Sequence, residues 1–141
     1  MAEGLLRSRV PDELSAVIVA RSAGTAGFDD VPATAHAVAV MGEHGVDISA
    51  HRSRGFDAAA AEAADLILAM TAIHVDEIAE AAPQARHKIH LLSEFADGSS
   101  RDVPDPIGGP REEYEQVFDL LSDLIDRSLP RIVSLAKEKR T

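Results

Sequence analysis

The 141-residue sequence contains no cysteine. This absence excludes disulfides, thiolate metal ligands and a cysteine nucleophile within these residues, and it says little about the cellular compartment. Positive charge is also scarce, because 14 Lys and Arg stand against 24 Asp and Glu and give a formal net charge of -10. Such a surface repels nucleic acid and anionic lipid, so we predict neither as a partner.

Long hydrophobic runs are missing too. None reaches the length of a membrane span, and the N-terminus lacks the basic patch and apolar stretch of a signal peptide. We therefore expect a soluble, cytoplasmic protein. With 45% hydrophobic residues, the chain has enough material for one core, and we expect a single domain over residues 1–141.

Short apolar segments without alternation predict strands buried on both faces of a parallel sheet. They are AVIVA at residues 16–20, LILAM at residues 66–70 and KIHLL at residues 88–92. Helical patterns separate these segments along the chain. The alternation indicates an α/β fold in which helices flank a parallel sheet.

The predicted helices cover residues 1–10, 32–45, 56–64, 72–82 and the stretch from Arg111 onward. Thr71 is placed to cap the fourth of these, and Gly45 to close the second. Pro130 is expected to kink or interrupt the last helix. Residues 93–110, with three prolines and three glycines, are predicted to form a long loop.

Two loops that follow predicted strands contain candidate functional residues. Asp105 lies between Pro104 and Pro106, whose fixed φ angles would present its carboxylate at a reproducible place for general acid catalysis. The alternative is that Asp-Pro and Gly-Gly-Pro only form a turn. Ser22, in the loop after residue 20, has the same two interpretations, a functional group or part of a tight turn.

The segment HRSR places His51, Arg52 and Arg54 close together in the sequence. We interpret it as a solvated or hydrogen-bonded connection rather than an anion grip. The remaining histidines show no spacing typical of a metal site. We predict neither a metal nor a cofactor.

Four segments, in order, resemble one family. They read SAGTAGF, PATAHAVAVMGEHGVDISAHRSRGF, ADLILAMTAIH and VPDPIGGPREEYEQVF, and the resemblance runs from Met1 to about Val133. The family is that of the low-molecular-weight protein tyrosine phosphatases. The resemblance implies a three-layer α/β fold and hydrolysis of protein phosphotyrosine, or phosphoarginine, through a cysteinyl-phosphate intermediate.

In that family a Cys-(x)5-Arg-Ser phosphate loop joins the first strand to the first helix and is usually followed by Pro-Met-Ala-Glu. Met1-Ala2-Glu3 begins where that motif would end, so the resemblance implies that the first, interior strand and the whole phosphate loop are absent. That strand would lie between residues 16–20 and 66–70. We therefore expect these residues to be inactive alone, because the nucleophile and the phosphate-binding arginine are missing.

The resemblance also implies roles for four residues. Asp105 corresponds to the aspartate that protonates the leaving oxygen and then activates water. Ser22 corresponds to a serine that supports the phosphate loop, and Phe28 to a position that lines the substrate cleft. Ile107 stands where phosphotyrosine-specific relatives often carry an aromatic residue, so stacking on a substrate ring is lost on that wall.

The substrate and the state of the protein stay open at this stage. Ile107-Gly108-Gly109 also resembles bacterial relatives that act on phosphoarginine. The related arsenate reductases need further cysteines, which are lacking here. The expected partner is a phosphorylated protein. The alternative is a catalytically dead module that binds a partner or forms a homodimer through exposed strand edges.

Overall fold

The computed structural model describes residues 1–25 and 29–140. In these residues the helices and strands are α1 (Ala2–Arg9), α2 (Ala35–Glu43), α3 (Ala58–Ala63), β1 (Ile67–Ala69), α4 (Ala72–Ala81), β2 (Ile89–Leu91), α5 (Leu92–Asp97) and α6 (Arg111–Arg140). Short 3₁₀ helices cover Asp12–Leu14 and Pro83–Lys88.

The two strands are parallel neighbours, with Ile67 opposite Ile89 and Ala69 opposite Leu91. Side chains of β1 alternate between the faces of the sheet because a strand has a period of two residues. Ile67 and Ala69 pack on one face, whereas Leu68 and Met70 pack on the other. The sheet is therefore the middle of three layers, as expected for the α/β class.

Each face of the sheet has its own hydrophobic cluster. The α4 cluster consists of Ala61, Ala69, Ile78, Ala79, Ala82, Ala85 and Ile89. The α6 cluster consists of Leu5, Ala37, Val40, Met41, Val46, Ile48, Leu92, Val103, Tyr114, Val117, Phe118, Leu121, Leu124 and Ile125. The larger cluster joins α1, α2 and α5 to the long C-terminal helix.

The strand predicted at residues 16–20 is wrong. Residues 15–17 form a turn, in which the N–H groups of Val17 and Ile18 both donate to the carbonyl of Leu14 at 2.9 Å. Val19 is 64% exposed. A β-branched run forms a strand only where another strand pairs with it, and in the described part of the chain none does.

Several helix boundaries also differ from the prediction. α2 begins three residues after Pro32, because the Thr34 side chain accepts the Ala37 N–H at 3.4 Å and caps the helix. Gly45 closes it as predicted, with a φ of 79°. α6 continues through Pro130 without interruption.

The long loop predicted at residues 93–110 is partly wrong, because α5 occupies Leu92–Asp97 and ends at Gly98 in the left-handed region, with a φ of 78°. Thr71 caps α4 as predicted and accepts the His74 N–H at 3.2 Å. In the described residues, no helix is long and apolar enough to cross a membrane.

Candidate active site

The loop that carries Asp105 is attached at its start to the carboxyl end of β1. The Val103 N–H donates to the Met70 carbonyl at 2.8 Å, and the Val103 side chain is buried in the α6 cluster. One residue earlier, the Asp102 carboxylate accepts the Ala72 N–H at 2.9 Å. Open parallel sheets bind ligands at the carboxyl ends of their strands, so the loop lies where a ligand site is expected.

Asp105 occupies a compact turn and is itself exposed. Its Oδ1 accepts the Ile107 N–H at 3.0 Å, and the Gly109 N–H donates to the Pro106 carbonyl at 2.9 Å. Gly108 has a φ of 79°, a conformation that side chains other than glycine rarely adopt. The loop is therefore both a turn and a means of holding the carboxylate in place.

A cavity of about 450 Å³ adjoins this turn. The lining consists of Pro104, Asp105, Pro106, Glu113, Gln116, Val117 and Leu120. The Asp105 carboxylate thus borders a space to which α6 contributes two apolar side chains, Val117 and Leu120, and two polar ones, Glu113 and Gln116. The Ile107 side chain lies outside this lining and is 68% exposed.

The segment that leads into the loop is ordered by local hydrogen bonds. Two hydrogen bonds from Ser99 lower the pKa of Asp97 from its ordinary value of 3.8. The larger effect comes from the Ser99 side chain and the smaller one from its backbone N–H. The buried Ser93 hydroxyl oxygen accepts the Arg101 N–H at 2.9 Å. The chain therefore approaches the Asp105 loop along a defined path.

A second polar cluster lies at the amino end of α1. Ser22 Oγ donates to Glu3 Oε1 at 3.2 Å, and His51 Nδ1 lies 3.3 Å from Glu3 Oε2. Arg7 lies 3.5 Å from the same oxygen. The Glu3 side chain is only 10% exposed, so this carboxylate is the centre of the cluster.

Glu3 was not identified by the sequence pattern. Acidic residues are common in the first turn of a helix, because they offset the helix dipole. The position of Glu3 in the sequence therefore does not indicate that it has distant partners. The one signal in the sequence is His51 in HRSR, a segment that we interpret as a solvated or hydrogen-bonded connection. That interpretation is confirmed for Arg52, which donates to the His51 carbonyl at 2.9 Å.

The candidate residues fall into two cavities rather than one. Ser22 and His51 line a cavity of about 210 Å³ with Ala23, Gly24, Ser53 and Arg54, and Asp105 lines the other. Both cavities adjoin the α6 cluster, which contains Val103 of the Asp105 loop and also Ile48, whose carbonyl accepts the His51 N–H at 3.1 Å. Phe28 lies outside the described residues.

The described residues contain no group of three His, Cys, Asp or Glu side chains that could hold a metal ion. Independently of this, the Asp105 loop places a carboxylate at the mouth of a cavity. A carboxyl group in this position can donate a proton to a leaving group and accept one from water.

Comparisons with known proteins agree on one family. The family model described as low molecular weight phosphotyrosine protein phosphatase matches residues 1–141. A protein-arginine-phosphatase from Geobacillus stearothermophilus is 39% identical over 127 residues, which are 90% of this chain and 82% of that protein. The low molecular weight protein-tyrosine-phosphatase Etp of Escherichia coli K12 is 33% identical over 86% of this chain and 77% of its own length.

Solved structures show the same similarity. The YwlE arginine phosphatase from Geobacillus stearothermophilus superposes with a TM-score of 0.86 at 33% identity, covering 97% of this chain and 86% of that one. The tyrosine phosphatase Wzb from Escherichia coli K30, in complex with sulphate, gives a TM-score of 0.81 at 30% identity. That match covers 93% of this chain and 87% of the neighbour.

Proposed function

Because the chain belongs to the low-molecular-weight phosphotyrosine protein phosphatase family, we propose that Asp105 is the general acid of a protein phosphatase. It protonates the leaving atom of the substrate side chain and then removes a proton from the water that releases phosphate. The observation that carries the proposal is the position of its carboxylate, which is held by the Ile107 N–H at 3.0 Å beside a cavity of about 450 Å³.

Three other residues have supporting roles in this proposal. Ser22 acts through Glu3, its hydrogen-bond partner at the amino end of α1, where the family places the phosphate loop. The exposed Ile107 contributes an aliphatic wall for the substrate side chain. For Phe28, which lies outside the described residues, the role in the substrate cleft rests on the family resemblance alone. In this proposal residues 1–141 form one domain, because α6 packs against α1, α2 and α5.

The nucleophile has to come from outside residues 1–141. The mechanism of the family needs a cysteine thiolate, and these residues contain none. The exposed Val17 and Val19 support the proposal that a further strand pairs with their segment in the active protein. Without that strand and its phosphate loop, residues 1–141 have the acid and no group to attack phosphorus, so we expect no turnover.

Protein phosphotyrosine is the substrate class that the family name indicates, and phosphoarginine is the second candidate. Ile107-Gly108-Gly109 offers no aromatic ring for stacking, which favours a substrate that does not need one. The 39% identical relative is named a protein-arginine-phosphatase. Both substrates require a proton at the leaving atom, which is oxygen in one and nitrogen in the other, so the role of Asp105 is the same.

The test compares residues 1–141 with the same residues preceded by the in-frame upstream sequence of their gene. Peptides that carry phosphotyrosine or phosphoarginine are the substrates, and released phosphate is measured. We expect turnover only in the longer protein, and the preferred peptide identifies the substrate. In that protein Asp105→Asn should lower kcat by about 10²- to 10⁴-fold, the usual contribution of a general acid.

Asp119→Asn is the matched control, because Asp119 is exposed on α6 and lies outside both cavities. It should leave kcat unchanged. Full activity of Asp105→Asn would refute the role of Asp105, and turnover by residues 1–141 alone would refute the need for an outside nucleophile. An inactive longer protein that light scattering shows to be a dimer would instead support the catalytically dead module.

A further inference from the structure

Asp102 lies three residues before the proposed acid and has no role in the mechanism above. We propose that Asp102 is a positioning residue, which sets the place of the Asp105 carboxylate by tying the start of its loop to the amino end of α4. The inference rests on the proposed function only in taking Asp105 as the acid. Its test does not depend on turnover.

Two hydrogen bonds of opposite direction join the loop to the segment between β1 and α4. The Asp102 carboxylate accepts the Ala72 N–H at 2.9 Å, and the Val103 N–H donates to the Met70 carbonyl at 2.8 Å. Because Asp102 accepts one hydrogen bond and the adjacent Val103 donates the other, the two bonds fix both the distance and the orientation of the start of the Asp105 loop. Asp102 is exposed, so its contribution is to geometry and not to the core.

The hydrogen bond from Ala72 does not duplicate the cap of α4. Ala72 is the first residue of the helix, and its N–H is one of the first four, which lack a partner within the helix. Thr71 accepts a different one, the His74 N–H, at 3.2 Å. A carboxylate at this end is also favoured by the helix dipole. Helix α4 therefore has an ordinary N-cap at Thr71 and, in addition, a link to the Asp105 loop through Asp102.

The residue before Asp102 is fixed by a side chain of α5. The Ser93 side chain is fully buried, and its oxygen lies 2.9 Å from the Arg101 nitrogen and 2.8 Å from the Arg101 carbonyl oxygen. Val103, on the other side of Asp102, is 4% exposed. Three consecutive residues are thus held by three different parts of the fold.

Few free torsions separate this anchor from the acid. Pro104 has a fixed φ, and Val103 and Asp105 each precede a proline, which restricts both to extended conformations. A shift of the anchor is therefore transmitted to the Asp105 carboxylate instead of being absorbed by the loop. A general acid tolerates little displacement, because proton transfer requires hydrogen-bond distance to the leaving atom.

Nuclear magnetic resonance of residues 1–141 tests the proposal through one amide and the methyl groups of two side chains. The Ala72 amide reports the hydrogen bond of Asp102. The methyl groups of Val117 and Leu120 report the place of the Asp105 loop against α6, because both side chains line the cavity that Asp105 borders. In Asp102→Ala we expect the Ala72 amide to exchange about fivefold faster, as for one lost helix cap. We also expect the shifts of these methyl groups to change, while the hydrogen bond from Ile107 to Asp105 within the turn persists.

Two further variants separate positioning from general stabilisation. Asp102→Asn retains an acceptor oxygen and should restore both signals. Thr71→Val removes the ordinary cap of α4 and should speed exchange of the His74 amide while leaving the methyl shifts of Val117 and Leu120 unchanged. Unaltered methyl shifts in Asp102→Ala would overturn the proposal and make Asp102 a helix cap only. An equal change of the methyl shifts in Thr71→Val would overturn it as well, since fraying of α4 alone would then account for the effect.

Discussion

At the scale of single residues, the least exposed carboxylate among the candidate groups is Glu3. Its carboxylate accepts a hydrogen bond from the Ser22 hydroxyl at 3.2 Å and lies 3.3 Å from His51 Nδ1. A carboxylate that is only 10% exposed is tolerated only when donors replace the lost water, and here the donors come from two distant loops and from Arg7 of the same helix. Glu3 therefore determines where those loops lie relative to α1.

Replacing Glu3 by alanine should lower the free energy of unfolding by about 1 to 3 kcal/mol, because the Ser22 and His51 side chains lose their partner. Urea unfolding followed by circular dichroism measures the change. Glu77→Ala, at an exposed position of α4, is the control and should stay within about 0.5 kcal/mol of the parent. A loss no larger than that of the control would show that the Glu3 cluster does not stabilise the fold.

The Asp105 loop could be found from the sequence because its shape depends on neighbouring residues. Two prolines and Gly108 determine the turn locally, and the structure has that turn. The Glu3 cluster could not be found in this way. Ser22 and Glu3 are 19 residues apart, and only the folded chain brings them together.

At the scale of the secondary structure elements, local patterns predicted β1 and β2 and the cap at Thr71. The prediction failed at residues 16–20, because strand propensity there is not matched by a paired neighbour within the described residues. It also missed α5, which starts directly after β2 and has no side-chain cap. A helix without a capping signal and only six residues long leaves little periodic pattern to recognise.

The sequence predicts that Pro130 kinks or interrupts α6, and the helix is not interrupted there. Proline removes one backbone hydrogen bond of a helix and crowds the preceding turn. The surrounding contacts offset this cost, since Ile125 and Ile132 are buried on either side of Pro130.

Pro130→Ala should therefore stabilise the protein by about 1 to 3 kcal/mol, as the missing hydrogen bond is restored and the ring clash is removed. Thermal unfolding monitored by calorimetry measures the gain. Ser134→Ala, at an exposed position later in the same helix, is the control and should change stability by less than about 0.5 kcal/mol. A Pro130→Ala protein that is no more stable than its parent would mean that the helix bears no cost at this residue.

At the scale of the whole molecule, a sheet of only two described strands separates the α4 cluster from the α6 cluster. β1 contributes to both sides, because Ala69 faces one cluster and Leu68 packs against the other. Asp105 depends on both clusters. Its loop is anchored through Val103 in the α6 cluster and through the amino end of α4.

If residues 1–141 form one domain, the two clusters should unfold together. Leu124→Ala removes a fully buried side chain of the α6 cluster and should cost about 2 to 5 kcal/mol. Ile78→Ala is its counterpart in the α4 cluster. Hydrogen exchange measures the slowest amides on both sides of the sheet, and each substitution should speed both sets equally, because their exchange requires global unfolding. If each substitution speeds only the amides of its own cluster, the two layers open independently and the single domain is refuted.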